Sequence, residues 1–430
     1  MALGGGTYLT QNKVLPGTYI NFVSAANASA VISDRGVAAC ACEMKWGKEN
    51  EIFEVTAQEF FADSLSIFGY AYDADELKGI RDLFANANKA YFYRLNSTGT
   101  KAASTIADAK YGGTRGNNIK ITVSTASEGF TVTTYLGTTE VDSQTAASAD
   151  KLNDNDFVTF KDSAVLEESA GISLSGGTDV SAATADHQKF LNLLESYSFN
   201  ILLCVSDDET TKKLYGDYTK TMRNDYGIKF QTVIHSYSGE SEGIINAGND
   251  CTESDKYGLI WWIGGAECAC EVNESLTNRT YDGEYTPVVD FTQSELEKAI
   301  EDGKFMLHRN GSDIKVLEDI NSFTGFSDKK SSDFADNEII RLLDSTGNDI
   351  AVMFNNYYLG KVQNNKSGRT AFWNDIVSYN RQLQDIGAIE NFEATDVTVE
   401  IGNDKKTVVV KNSITPVCAM SKLYMTVVIE

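Results

Sequence analysis

The chain has 430 residues, of which 42% are hydrophobic and 10% aromatic, so it is a globular protein and not a disordered one. Its 61 acidic residues outnumber 37 lysines and arginines, which gives a formal net charge of -24 at pH 7. A surface of that sign repels nucleic acid and anionic lipid, so we expect neither as a direct partner.

The first predicted element is a strand at Thr18–Ser24, where apolar and polar residues alternate. It has no hairpin partner, because Ala25–Ala30 is a run of small residues. No basic region followed by an apolar one opens the chain, so we expect no signal peptide and a soluble protein made in the cytoplasm. No apolar run reaches bilayer length; the best candidate, Gly258–Ala269, is broken by two glycines and Glu267.

Strands and helices are mixed between Gly36 and Leu95. The pattern predicts a strand at Phe53–Thr56, a short helix at Ala57–Asp63, a helix at Asp75–Ala87 and a strand at Lys89–Leu95. From about Ser97 to Thr178, by contrast, no helix of useful length is predicted. Short strands there, such as Ile119–Val123, Phe130–Leu136 and Phe157–Phe160, are typical of a small antiparallel β domain.

The entrance to this β domain is a glycine-rich loop, Tyr111–Asn118. Such a loop could hold a phosphate if its backbone N–H groups converged on the anion and a helix followed. Here a strand follows instead, with apolar residues at Ile119, Ile121 and Val123. The sequence therefore predicts a tight turn that leads into the β domain.

Helices and strands alternate again after Ser181. The pattern predicts helices at Ala182–Tyr197 and Glu209–Tyr226, and buried strands at Asn200–Val205 and Ile228–His235. This alternation indicates a parallel sheet with crossover helices, interrupted by the β domain and then resumed.

A third region begins near Phe323 and ends in a strongly apolar strand at Lys422–Glu430. Between them the pattern predicts helices at Asp336–Tyr358 and Thr370–Asp385, then strands at Thr395–Ile401 and Thr407–Val410. Both ends of the chain thus carry a strand without a local partner. An unpaired strand recruits another chain, so these strands suggest recruitment; the alternative is that both join the chain's own sheet.

Two C-x-C pairs, Cys40/Cys42 and Cys268/Cys270, are among the seven cysteines. An odd number of cysteines without an export signal indicates reduced thiols. The four paired thiolates could bind zinc, but zinc sites more often use C-x(2–4)-C on a turn. We therefore expect small buried thiols and no metal.

Candidate catalytic side chains follow two of the predicted strands. They are His235, Ser236, Ser238, Asp207 and Asp208. A Ser-His-Asp hydrolase triad could be assembled from them, but no G-x-S-x-G motif supports it. The acidic run Asp207–Glu209 could bind magnesium, yet its place directly before a helix favours N-capping. The sequence therefore predicts no catalytic residues and no cofactor.

Four stretches together resemble one protein family. They are Tyr111–Val123, Gly264–Gly283 with its Ser-Leu-Thr-Asn run, Arg341–Gly368 and Met420–Val428. In this order, and over nearly the whole chain, they are similar to the β domain, the central domain, the C-terminal domain and the closing strand of contractile tail sheath proteins. That family belongs to phages and phage-tail-like bacteriocin particles. The part before Pro16 aligns least well.

The resemblance implies an α/β multidomain fold, with a subtilisin-like α/β core, an inserted antiparallel β domain, a C-terminal α+β domain near the tail tube and two terminal strand arms. The expected segments are an N-terminal arm (1–25), the first part of the core (26–96), the inserted β-sandwich (97–180), the second part of the core (181–322), the C-terminal domain (323–410) and the C-terminal arm (411–430).

The resemblance also implies what the chain assembles with. Copies would stack as hexameric rings around the tail tube, exchange terminal strands with their neighbours and contract to drive the tube through a target envelope. Further partners would be the tail tube, baseplate and tail terminator proteins, with assembly in the host cytoplasm. The exchanged strands would supply Tyr19, Ile20, Phe22, Val23, Leu423, Tyr424, Met425, Val427 and Ile429.

We expect the tail tube to contact a polar helix face. Its residues are Asp375, Ser378, Gln382 and Asp385, and the opposite face is mostly apolar. The alternative for this face is plain solvation. The rival to the whole interpretation is a hydrolase-like α/β enzyme with an appended β binding domain; a cell-surface adhesin would need the export signal that the sequence lacks.

Overall fold

The computed structural model describes residues 32–429, which fall into two compact units. The larger unit comprises Ser33–Asn348 together with residues 416–429, and the smaller unit spans Asp349–Thr415. No helix within residues 32–429 is long and apolar enough to cross a membrane.

The larger unit begins with three strands and two helices. These are β1 (Val37–Cys42), β2 (Ile52–Thr56), α1 (Ala57–Phe68), α2 (Lys78–Phe84) and β3 (Lys89–Arg94). A capping box sets the start of α1, since the Thr56 hydroxyl accepts from the Glu59 N–H at 3.2 Å and the Glu59 carboxylate accepts from the Thr56 N–H at 2.8 Å. The helix extends past its predicted end at Asp63 and closes at Gly69, whose φ of 78° suits a glycine.

The inserted domain consists of two antiparallel sheets. Its strands are β4 (Lys101–Ala103), β5 (Ala107–Gly112), β6 (Ile119–Ala126), β7 (Gly129–Leu136), β8 (Thr139–Ala146), β9 (Val158–Phe160) and β10 (Ser169–Ser173). One sheet has the order β10-β6-β7-β8 and the other β4-β5-β9. Side chains from both sheets share one hydrophobic cluster, in which Ile119, Ile121 and Val123 are buried. The predicted antiparallel β domain is confirmed.

The alternation of helix and strand then resumes. The elements are α3 (Thr184–Leu194), β11 (Ile201–Leu203), α4 (Glu209–Thr221), β12 (Gln231–His235), β13 (Ile244–Ala247), α5 (Leu259–Ala269), α6 (Gln293–Glu301), β14 (Lys304–Phe305), β15 (Leu307–Asn310) and β16 (Asp313–Val316). A seven-stranded sheet has the order β14-β13-β12-β11-β1-β3-β2. Its strands are parallel except for β2, which runs antiparallel to β3. The prediction of one parallel sheet interrupted by the β domain is confirmed.

Helix α5 covers one face of this sheet. Its residues are buried nearly throughout, and Gly264 and Gly265 allow its backbone to approach Leu203 on β11 and Leu83 on α2. Strand β1 faces two separate hydrophobic clusters, one with Ala38, Cys40 and Cys42 and the other with Ala39 and Ala41. Burial on both faces is typical of a parallel sheet.

The smaller unit is built on two helices and a hairpin. Helix α7 (Asn337–Met353) begins in the larger unit and ends in the smaller one, and α8 (Lys366–Asp385), β17 (Ile389–Glu390), β18 (Val397–Ile401), β19 (Val408–Asn412) and β20 (Thr415–Pro416) follow. Strands β18 and β19 form an antiparallel two-stranded sheet. The indole N–H of Trp373 donates to the Val397 carbonyl at 2.9 Å and so fixes α8 on β18.

Candidate interaction surfaces

The C-terminal segment 417–429 exposes its apolar side chains to solvent. Leu423, Tyr424, Met425, Val427 and Ile429 are each at least 73% exposed. The strand predicted at the chain end does not form here, because no segment of residues 32–429 pairs with residues 417–429. A strand needs a partner for its backbone groups, and this chain supplies none from its described part.

The start of this segment lies beside the first turn of α7, within the larger unit. The Ala419 N–H donates to the Glu338 carboxylate at 3.1 Å, which fixes the segment's root. The start of the arm expected at residues 411–430 pairs within the smaller unit. Strand β19 extends through Asn412, whose side-chain amide oxygen accepts from the Asn380 amide at 2.6 Å.

A sheet edge that could receive a foreign strand lies in the smaller unit. Strands β18 and β19 pair only with each other in the part of the chain that the structure describes. Ile401 and Val409 on this hairpin are about half exposed, at 52% and 53%. A two-stranded sheet is marginally stable alone and its edges invite a further strand. The predicted donor residues Tyr19, Ile20, Phe22 and Val23 lie outside the described residues.

Helix α8 separates polar from apolar residues as the sequence predicted. Phe372, Ile376, Val377 and Leu383 are buried. Among the four residues predicted to face the tube, Ser378 and Asp385 are exposed, whereas Asp375 and Gln382 are partly buried. Asp375 accepts a hydrogen bond from the Tyr358 hydroxyl, so its carboxylate already has a partner within the smaller unit.

The candidate hydrolase residues meet at the carboxyl end of β12, but with the wrong geometry. His235 is buried, and its Nε2 lies 3.0 Å from Asp250 Oδ1 and 3.5 Å from Ser236 Oγ. In a triad the acid holds one ring nitrogen and the serine the other. Here Ser236 and Asp250 both face Nε2, while the predicted acid Asp207 lies 3.6 Å from Nδ1, beyond hydrogen-bond distance. Nε2 cannot donate to Asp250 and also take the proton of Ser236. The sequence missed Asp250, which lies beyond β13 and comes near His235 only in the folded sheet.

The acidic run before α4 has structural partners. Asp208 caps the helix by accepting from the Thr211 N–H at 2.8 Å, which confirms the N-cap prediction. Asp207 Oδ1 lies 2.9 Å from the buried Lys212 ammonium, and Glu209 Oε1 lies 3.0 Å from the same group. Side-chain hydrogen bonding to Lys212 lowers the pKa of Asp207, so this carboxylate stays charged.

The glycine-rich loop binds the chain's own carboxylates. The Gly112 N–H donates to Glu49 Oε1 at 2.6 Å, and the Thr114 N–H donates to Asp179 Oδ1 at 2.8 Å. Arg94 fixes the loop from the other side by donating to the Gly112 carbonyl at 2.7 Å. The loop is therefore an anchored turn between β5 and β6, as the sequence predicted.

The two C-x-C pairs are buried thiols. Cys40 and Cys42 lie on β1, and Cys268 and Cys270 lie at the end of α5. Burial raises the pKa of Cys42, Cys268 and Cys270 to about 12, so these thiols are protonated at neutral pH. Within residues 32–429, no group of three or more His, Cys, Asp or Glu side chains is placed to hold a metal ion.

Comparison with protein-family models assigns nearly the whole chain to one family. The matches are the tail sheath protein Gp18 domain III N-terminal region (35–95), the phage tail sheath protein beta-sandwich domain (97–179), the phage tail sheath protein central domain (181–322) and the phage tail sheath C-terminal domain (329–430).

Individual proteins resemble the chain over its full length. The phage-like element PBSX protein XkdK of Bacillus subtilis is 30% identical, with 99% of each chain covered. A sheath tail protein of Desulfitobacterium hafniense is 31% identical in its crystal structure, with a TM-score of 0.83 over 95% of this chain and 99% of that one. The contracted helical sheath of the anti-feeding prophage has a TM-score of 0.57 at 12% identity, over 97% of this chain and 99% of that one, which shows a shared fold.

Proposed function

The chain belongs to the phage tail sheath protein family, whose role is structural, and from that premise we propose how its copies join into a contractile sheath. Each subunit donates its C-terminal segment as a strand to a neighbour. The observation that carries this proposal is the exposure of Leu423, Tyr424, Met425, Val427 and Ile429 on a segment without a pairing partner in its own described chain. Strand addition would bury these side chains and satisfy their backbone groups.

The acceptor is the β18–β19 hairpin of a neighbouring subunit. Within the described residues this hairpin pairs with no further strand, so its edges offer backbone donors and acceptors apart from the Val397 carbonyl that Trp373 already uses, and Ile401 and Val409 offer apolar contacts. Main-chain hydrogen bonds hold the donated strand, and burial of its apolar side chains adds to the strength of the joint. Thr18–Val23 at the other end of the chain is the second donor strand, so each subunit has two joints to its neighbours.

These joints build stacked hexameric rings around the tail tube, between the baseplate and the tail terminator, in the host cytoplasm. The extended lattice is metastable, and contraction releases free energy as subunits bury more surface against one another. The tube then moves through the target envelope. The α/β core, of subtilisin-like topology, acts as a rigid body, and no nucleotide, cofactor or catalytic residue takes part.

The tube contact is the polar face of α8. Ser378 and Asp385 are exposed there, and Gln382 is partly buried. A polar contact suits a sheath that must release the tube on contraction, because water can replace its hydrogen bonds at little cost in free energy.

Negative-stain electron microscopy tests the strand joint. We compare the full chain at high concentration with a chain that ends at residue 417 and with one in which residues 418–429 are replaced by glycine and serine. A third chain lacks residues 1–24. Rings or tubes should form from the full chain only. Assembly of the glycine-serine chain would contradict the joint, and if all chains stay monodisperse, preformed tail tubes are added as nuclei and the comparison is repeated.

A further inference from the structure

A small cavity of about 30 Å³ lies at the amino end of the central sheet. Its lining includes Arg35 before β1, Asn200 before β11 and Lys229 before β12. Helix α7 contributes Arg341 and Asp344 to the lining, and all of these residues belong to the larger unit. A cavity needs about 10–15 Å³ to hold one water molecule, so this one has room for a monatomic ion.

The lining of this cavity carries more positive than negative charge. Its cations are Arg35, Lys229 and Arg341, whereas Asp344 is the one carboxylate among the lining residues. Both oxygens of that carboxylate accept from the Arg223 guanidinium, at 2.5 and 2.9 Å, so its charge is already balanced. The cavity therefore favours an anion over a cation or a neutral molecule.

Two of these cations have no carboxylate partner in the described chain. Arg35 is 7% exposed, and its guanidinium donates to two backbone carbonyls, at 2.6 and 3.0 Å. Lys229 is half-buried, and its ammonium group donates to one backbone carbonyl at 2.6 Å. Neither side chain forms an ion pair within residues 32–429. Residues 1–31 contain no aspartate or glutamate that could serve instead.

The pKa values of the same two groups reflect the missing negative charge. Burial, and then the charge of Arg341, lowers the pKa of the Arg35 guanidinium. Burial, and then the charge of Arg223, lowers the pKa of the Lys229 ammonium group. Both shifts mean that the folded chain disfavours the charged form of the side chain. An anion in the cavity would offset this cost, because it supplies the charge that the chain lacks.

A lining residue of the cavity also carries an unpaired hydrogen-bond donor. Arg341 is 1% exposed, and its terminal nitrogens pair with Glu267 and Asp319. Its Nε has no hydrogen-bond partner in the described chain, although buried donors in native proteins nearly always have one. Arg35 and Lys229 have further N–H groups, since a guanidinium has five and an ammonium group has three. The cavity is therefore rich in donors and poor in acceptors.

We propose that this cavity binds a chloride ion, held by N–H groups of Arg35, Lys229 and Arg341. A water molecule would satisfy the donors but leave the positive charge unbalanced, whereas chloride does both. The ion joins the residues before β1 and β12 to helix α7, so chloride stabilises the folded chain. Binding needs a single chain and does not depend on strand exchange or tube contact.

Thermal unfolding of the full chain in sodium chloride and in sodium gluconate, at equal ionic strength, tests the site. Chloride should raise the Tm of the wild type along a saturating curve. In Lys229→Met the apparent affinity should fall at least about tenfold, which corresponds to the loss of one hydrogen bond to a charged group. The matched control, Lys315→Met, removes a half-buried lysine outside the cavity and should respond as the wild type does. An equal response in Lys229→Met, or no saturating response in the wild type, would overturn the proposal.

X-ray diffraction with bromide locates the ion without any substitution. Crystals of the wild type soaked in sodium bromide should show an anomalous peak between Arg35, Lys229 and Arg341. No anomalous peak at this position would mean that the cavity holds water and would overturn the proposal. Peaks confined to exposed lysines would show an adventitious ion only and would overturn it as well. Unfolding in gluconate checks that Lys229→Met is folded, and if it is not, the diffraction result decides.

Discussion

Arg341 Nη1 lies 2.6 Å from Glu267 Oε2, and neither side chain is accessible to solvent. Nη2 of the same guanidinium lies 2.8 Å from Asp319 Oδ2, so one buried cation faces two acids. Burial, and then the charge of Asp319, raise the pKa of Glu267 well above its usual range. Burial also acts to raise the pKa of Asp319, but the charge of Arg341 and the hydrogen bonds of Asp319 to Glu267, Arg341 and the Leu276 N–H together outweigh it, and the pKa falls. We infer that Glu267 holds a proton and that Arg341 and Asp319 form the charged pair.

The variant Arg341→Met tests this assignment of the proton to Glu267 and of the charges to Arg341 and Asp319. It leaves Asp319 buried without its cation, so we expect the free energy of unfolding to fall by about 3–5 kcal/mol in urea titrations at pH 7. Glu267→Gln should cost less than about 1 kcal/mol, because an amide can replace a protonated carboxyl in its hydrogen bonds. Equal losses in the two variants would mean that Glu267 is charged as well.

Much of the fold could be predicted from local pattern. The sequence predicts strand β6 and helix α8 because their apolar residues alternate in the strand and recur every three or four residues in the helix. Helix α5 was not predicted as a helix, since it is apolar on all sides and has no period. The cluster around Arg341 joins residues far apart in sequence, and spacing carries no signal for such contacts. The C-terminal strand has the right composition but no partner in its own described chain.

Gly265 provides a test of how closely α5 packs on α2. A Cβ at this position would lie 2.5 Å from the Leu83 carbonyl oxygen. We expect Gly265→Ala to lower the free energy of unfolding by about 1–3 kcal/mol, because backbone must shift to admit the methyl group. Gly347→Ala in α7 is the control, since a Cβ there meets nothing within 4 Å. The control should raise stability by about 0.5–1 kcal/mol through helix propensity. A stabilising Gly265→Ala would show that the two helices are not in close contact.

Asp82 should make stability depend on pH. Burial raises the pKa of its carboxyl from 3.8 to about 6, and Oδ2 has no hydrogen-bond partner in the described residues. As pH rises from about 4 to 6, the unfolded chain releases this proton before the folded chain does. The free energy of unfolding therefore falls with rising pH, by about 2 kcal/mol from pH 4.5 upward.

The variant Asp82→Asn removes this dependence. We expect urea titrations at pH 4.5, 6 and 7.5 to show that the free energy of unfolding of the variant, relative to that of the wild type, rises by about 2 kcal/mol with pH. The full rise should be present above pH 6. A constant difference between Asp82→Asn and the wild type across this range would mean that burial does not hold the proton on Asp82.

Two substitutions at Met425 distinguish the backbone contribution to the strand joint from the side-chain contribution. Met425→Pro removes one N–H from the donated segment and should abolish the rings and tubes seen by electron microscopy. Met425→Thr keeps the N–H and the preference for strands, so most assembly should remain. Because Met425 is exposed in the single chain, both variants should unfold at the wild-type temperature. Normal assembly of the proline variant would rule out main-chain pairing at this residue.

The tube contact can be tested at Asp385, which is exposed at the C-terminal end of α8. Asp385→Lys suits the helix dipole, so we expect the subunit's stability to change by less than about 0.5 kcal/mol. Combined with Ser378→Arg, it reverses the charge of the face proposed to meet the tube and should lower co-sedimentation with preformed tail tubes. Glu297→Lys on α6 reverses an exposed charge elsewhere and should leave co-sedimentation unchanged. If the α8 double variant binds tubes as the wild type does, this face is a solvated surface and the tube is held by another part of the chain.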